Sequence, residues 1–180
     1  KKFDNESFWE YISILHYKEI GITIIDSGYL MNVQRKVEAI QQNKFTKDIF
    51  TEEYINDENT LIQLKGLTAL NGIPIKFMLD IVSIDFEKKI IYPKDFKTVA
   101  PLAELFSNNF YTYKYYLQGT LYSKFLMELL KRTEFEDYTI AEFEFIYINS
   151  GKENLPIICK MESGWIELGM NGWENSFGYR

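Results

Sequence analysis

The chain of 180 residues, 46% hydrophobic and 17% aromatic, holds enough apolar material for one buried core and too little length for two independent ones. With 20 basic residues against 26 acidic ones the formal charge is −6, which excludes a polyanion-coating protein of the basic-arm kind. An enzyme acting on nucleic acid stays open, because a metal site needs carboxylates and binding needs only a local basic groove.

Cys159 is the single cysteine, so no internal disulfide can form. It is expected to pack as a small apolar residue, which favours a reducing compartment. No run approaches the roughly 18 apolar residues of a membrane helix, and the opening "KKFDNESFWE" lacks the apolar segment of a signal peptide. A soluble, cytoplasmic protein is expected. The start at Lys1 without methionine and the end on "NSFGYR" suggest a piece of a longer polypeptide, with residues 1–180 as a single domain.

In chain order, "ESFWEYISILHYKE" reads as a first, irregular helix. Asp26-Ser27 then offers a cap to "GYLMNVQRKVEAIQQ", where Leu30, Val33, Val37 and Ile40 recur at helical spacing. From residue 60 the texture becomes β. "TLIQLKGLTAL", the turn Asn71-Gly72, "IPIKFMLDIVSID", the charged turn "FEKK" and "IIYPKDFKT" predict an antiparallel three-strand meander.

After Pro101 one long helix is expected through "NNFYTYKYYLQGTLYSKFLMELLKR", striped by Phe110, Tyr113, Leu117, Leu121 and Phe125. "AEFEFIYINS" and "PIICKME" read as two further strands joined at "GKEN", and "GWIELGMNGWENSFG" as a hairpin or edge segment. The order of helix, three strands, long helix and two strands predicts an α/β domain whose meander precludes an all-parallel sheet.

The chemistry gathers in "YPKDFKT". Residues two apart on a strand share a face, so Asp95 and Lys97 look one way and Phe96 the other. Pairing across the "FEKK" turn brings Asp80 toward Asp95. Two carboxylates that close repel unless a cation lies between them, and hard oxygen ligands suit Mg²⁺ or Mn²⁺. Lys97 can then hold or deprotonate a water, or neutralise charge growing on a phosphate. Gln118 and Tyr122, four apart, share a helix face that reaches toward the same sheet edge.

The series "FMLD", "DFK" and a helix with "QGTLY" resembles the PD-(D/E)xK nuclease superfamily, in the branch of RecB-type and exonuclease VIII-like nucleases with a Gln-x-x-x-Tyr motif. The resemblance spans roughly residues 30–160. It implies a restriction-endonuclease-like core, a mixed sheet with the meander flanked by helices. It further implies Asp80 and Asp95 as metal ligands, joined by the carbonyl of Phe96, with Lys97 as the catalytic lysine and Gln118 and Tyr122 orienting substrate or water. An Mg²⁺- or Mn²⁺-dependent exonuclease on double-stranded DNA ends follows, with a homo-oligomer and a strand-annealing partner in recombination. The rival class is a non-catalytic nuclease-fold module that binds DNA or a protein.

Two departures stand out. The second acid is aspartate where glutamate is commoner, and the branch's upstream histidine or glutamate has no match. His16 reads as a surface or packing residue and Glu38 as a solvated one, so the missing element is expected before Lys1. "YTYKYY" can stack bases, though helical spacing favours core and groove-lining roles. Lys88, Lys89 and Lys94 can reach phosphates, and a lysine pair in a turn is equally explained by solvation.

Overall fold

The computed structural model describes residues 13–14, 16, 18–21, 25–99, 105–149 and 155–172. Backbone contacts divide the chain into two compact units, Lys1–Val37 and Glu38–Arg180. The first contains exposed His16 and most of helix α1, Ser27–Gln42. Asp26 caps that helix as expected, its Oδ1 accepting a hydrogen bond from the Tyr29 amide at 2.8 Å. The apolar stripe departs from expectation: Ile40 is buried, whereas Leu30, Val33 and Val37 are exposed. Most of "ESFWEYISILHYKE" and the "GKEN" turn lie outside the described residues.

The second unit is built on the meander. Strands β1 (Thr60–Leu70), β2 (Ile73–Asp85) and β3 (Ile90–Val99) follow one another antiparallel. Asn71 and Gly72 both have positive φ, 51° and 79°, the conformation whose twist matches a two-residue hairpin. Asp85 closes the next turn by accepting from the Lys88 amide at 2.9 Å, and Lys89 takes the left-handed position there. A short helix α2, Glu52–Asn56, precedes the meander with Thr51 as its cap.

The expected single long helix is two. Helix α3 (Leu105–Thr112) and helix α4 (Tyr115–Leu130) are separated at Lys114, whose φ of 56° is left-handed. The break turns Phe110 onto Trp165 and Tyr116, with ring centroids 5.1 and 6.0 Å away. Strand β4 (Thr139–Ile140) then pairs parallel to Ile90-Ile91, and β5 (Phe143–Asn149) pairs parallel to Lys94–Val99 of β3. Strand β6 (Pro156–Met161) adds antiparallel to β5.

The sheet therefore runs β1-β2-β3-β5-β6 with β4 beside β3, a mixed α/β sheet flanked by helices. Pro93 lies on β3 between the stretch paired to β4 and the stretch paired to β5. Its missing N–H thus falls where the ladder has an interval.

Of "GWIELGMNGWENSFG", expected as a hairpin or edge, residues 164–171 belong to helix α5, Ser163–Asn171, and residues 173–178 lie outside the described residues. Its glycines read as turn signals, yet Gly169 is where α5 crosses α4. A Cβ there would lie 2.2 Å from Thr120 Oγ1 and 2.7 Å from its Cβ, so only glycine allows this approach.

One core lies between the sheet and α3, α4 and α5, with Leu79, Phe143 and Phe145 fully buried. Burial of each such side chain contributes roughly 1.5–3 kcal/mol. A smaller cluster of Ile49, Ile81 and Ile146, flanked by Phe50, Tyr54 and Phe96, covers the other face. Cys159 is partly buried against the larger core, and burial pushes its thiol up.

Candidate active site

The site forms where β2 and β3 part. Their ladder runs from Asp85↔Ile90 to Ile81↔Lys94, and beyond Lys94 strand β3 pairs with β5 on its other side. Meanwhile β2 continues with β1 into the hairpin arm that ends at Asn71-Gly72. A gap thus opens between the two strands, and one step past the last pair the register places Asp80 opposite Asp95.

Side-chain alternation slips at the same point. Leu79 and Val82 both bury against the helices although they are three apart, while Ile81 between them buries on the opposite face. On β1, Gln63 is left-handed at φ 53° and drops out of the ladder. Such a local irregularity re-aims a side chain. Here it leaves the Asp80 carboxylate in the gap, where its Oδ2 accepts a hydrogen bond from the Phe96 amide at 2.9 Å. A side-chain oxygen does the work of the backbone carbonyl that a continued ladder would have supplied.

Asp95 is the buried member of the pair, only 2% exposed. Its Oδ1 accepts from Gln118 Nε2 at 3.0 Å. Its Oδ2 is in ion-pair contact with Lys97 Nζ, which compensates the charge of this buried oxygen. Burial pushes the Asp95 carboxyl above its ordinary value and the charge of Asp80 adds to that, while Lys97 and Gln118 pull the other way. Each expected residue of "DFK" thus meets a partner from a different element.

Gln118 reaches Asp95 because α4 sits close to the sheet. A Cβ on the adjacent Gly119 would come within 2.2 Å of Met161 Sδ and 3.3 Å of the Phe143 ring. Tyr122, one turn on, has its ring among Phe77 and Phe143 at 6.3 Å from each, in the core. Tyr115, at the start of α4, presents its ring to Lys97, with Nζ 5.3 Å from the centroid. In the sequence Tyr115 stands only within "YTYKYY", with a core or groove-lining role, although its three-residue spacing from Gln118 puts both on one helix face.

The lysines expected at phosphates each have a carboxylate partner. Lys88 pairs with Asp85 at 2.8 Å, Lys89 with Asp137, and Lys94 with Glu144 at 2.9 Å. Glu38 is exposed on α1, and His16 belongs to the Lys1–Val37 unit. Among the described residues no group of three His, Cys, Asp or Glu side chains converges, so the carboxylate set at the gap is the pair Asp80 and Asp95. No helix among them is long and apolar enough to cross a membrane.

No family model and no curated protein matches this sequence. Among solved structures, that of a candidate exonuclease from Eubacterium rectale is similar, with a TM-score of 0.56 and 12% identity over 92% of this chain. The chain spans 57% of the length of that structure. At this identity the likeness is one of fold, the mixed sheet with its flanking helices.

Proposed function

We propose that this chain is the nuclease domain of a PD-(D/E)xK-type deoxyribonuclease, cleaving phosphodiester bonds at the ends of linear duplex DNA. The observation that carries the reading is the arrangement at the strand gap: buried Asp95 held by Lys97 and Gln118, with Asp80 joined to the Phe96 amide across from it.

The donor set fits a hard divalent cation. Mg²⁺ takes one or two carboxylates and keeps several waters, and Asp80 and Asp95 supply two carboxylates at the gap, Asp95 almost fully buried. Along an extended strand a residue's N–H and C=O face the same neighbour, so the Phe96 carbonyl follows its amide toward β2 and Asp80. Asp80, Asp95 and that carbonyl would hold Mg²⁺ or Mn²⁺. A bound ion would supply Lewis-acid stabilisation of the phosphate and make a bound water more acidic than bulk water.

The chain's own groups do the rest. Gln118 fixes the rotation of the Asp95 carboxylate by binding one oxygen and leaving the other toward Lys97. Lys97 brings a positive charge to the phosphate as negative charge grows on it, or steadies the attacking water. Tyr122, anchored in the core by its ring, completes the motif on the same helix face as Gln118. By the same resemblance the proposal extends to a cytoplasmic recombination enzyme, a homo-oligomer that works with a strand-annealing protein.

A second reading, a non-catalytic module that binds DNA or a protein, is favoured by one observation: the convergent carboxylates at the gap number two among the described residues. A magnesium-dependent degradation assay on linear and covalently closed duplex, with Lys97→Ala as control, separates the two. Loss of linear DNA alone, abolished by Lys97→Ala, supports the exonuclease. Binding of DNA without degradation supports the module, and equal rates for wild type and Lys97→Ala remove the catalytic assignment.

A further inference from the structure

We infer that Tyr115 is the positioning residue for Lys97, acting through the face of its ring; this inference rests on the nuclease reading of the same site. Among the described residues Lys97 Nζ meets the Asp95 carboxylate and the Tyr115 ring, the latter at 5.3 Å from the centroid. The two differ in what they leave to the ammonium. A carboxylate neutralises it, whereas the negative face of an aromatic ring attracts it without cancelling its charge.

The difference matters because Asp95 is also the buried acid of the candidate metal site. Once an Asp95 oxygen serves as a metal ligand it is no longer available to Lys97 as a full counter-charge. The Tyr115 ring is then the contact that remains. A lysine side chain has a long, freely rotating stem, so an ammonium with no fixed partner spreads over many positions and meets the phosphate rarely.

Tyr115 itself is well held. It is the first residue of α4, directly after left-handed Lys114, so the helix break sets where its ring points. The ring lies 5.7 Å from fully buried Phe145 and 5.8 Å from Tyr113. Burial of Tyr115 and the charges of Tyr113 and Asp95 push its hydroxyl up, so the ring stays neutral and keeps an intact π face at neutral pH.

The test combines magnetic resonance with kinetics on the chain carrying ¹³C-labelled lysine, with Lys97 assigned from the spectrum of Lys97→Arg. The ε-methylene of Lys97 is expected upfield of the exposed lysines because of the ring current. Tyr115→Leu should move it back to the exposed position and lower kcat by at least ~10-fold with a smaller change in KM. Tyr115→Phe should restore both, since it keeps the ring face.

The inference is overturned if the Lys97 ε-methylene resonates with the exposed lysines in the wild type. It is equally overturned if Tyr115→Leu keeps the wild-type kcat while Lys97→Ala is inactive. If neither the wild type nor any variant degrades DNA, the nuclease reading fails separately, and the positioning role built on it fails too, whatever the spectrum shows of the contact.

Discussion

Asp80 on β2 accepts a hydrogen bond from the Phe96 amide on β3 at 2.9 Å, one residue past the point where the two strands stop pairing. The acid is therefore both a candidate ligand and a strut across the gap. Asp80→Ala should lose Mn²⁺ binding by calorimetry. It should also destabilise the fold by about 1–2 kcal/mol in urea, since a backbone donor at the gap loses its charged acceptor. Asp80→Asn should recover most of the stability and none of the metal binding.

Asp95 has the opposite balance. Its carboxyl is pushed up chiefly by burial, so ionising it costs the folded state at neutral pH. Asp95→Asn should raise the melting temperature at pH 7 and bring it closer to that of the wild type as pH falls through the carboxylate range. Adding Mn²⁺ should raise the melting temperature of the wild type by mass action and leave Asp95→Asn unmoved. A stabilising substitution that abolishes metal response is the mark of a residue retained for chemistry.

Gln118 donates to Asp95 Oδ1 at 3.0 Å. Gln118→Ala should lower kcat by roughly 10-fold, by freeing the carboxylate to rotate. Gln118→Glu should do more, because a second carboxylate against the first raises its pKa further and repels Lys97's proper counter-ion. Steady-state kinetics at pH 7 rank the two; wild-type activity of both would show that the hydrogen bond plays no part.

Away from the site, Glu144 lies between Lys94 at 2.9 Å and Lys160 at 3.0 Å. Burial alone raises its carboxyl, but the two lysines outweigh it and hold the group below its ordinary value of 4.5. A depressed folded value means stability that is present above 4.5 and lost as pH falls through the folded value. Acid titration of wild type against Glu144→Gln, followed by circular dichroism, should show a steeper loss below that point in the wild type.

The crossing of α5 over α4 gives a packing prediction. Gly169→Ala should cost about 1–3 kcal/mol, because the new methyl meets the β-carbon of Thr120 as well as its Oγ1, and no rotation of the side chain moves the β-carbon away. Thr120→Ala in the same chain should recover part of that loss.

Some of this was legible in the sequence. The Asn71-Gly72 turn and the alternating runs around it fix the meander by local chemistry, and once the register is set by the second turn Asp80 and Asp95 fall opposite. The Asp26 cap is equally local. The helix break at Lys114 was not legible, since lysine carries no left-handed signature and the aromatic stripe runs straight through it. Helix α5 was hidden because its glycine signals a turn in sequence and a close crossing in three dimensions. Tyr115 and the slip at Asp80 depend on what each strand or helix packs against, which no local pattern encodes.

The parting of β2 from β3 has a consequence for how the molecule comes together. Asp80, Asp95 and Lys97 all belong to the one meander Thr60–Val99, so contacts of short sequence separation assemble the charged centre, while Gln118 arrives only when α4 docks on the sheet. Until then the two acids face each other with Lys97 alone to compensate them. Mutual repulsion of the two acids opposes any zipping of β2 and β3 past Ile81 and Lys94, the point at which the ladder ends.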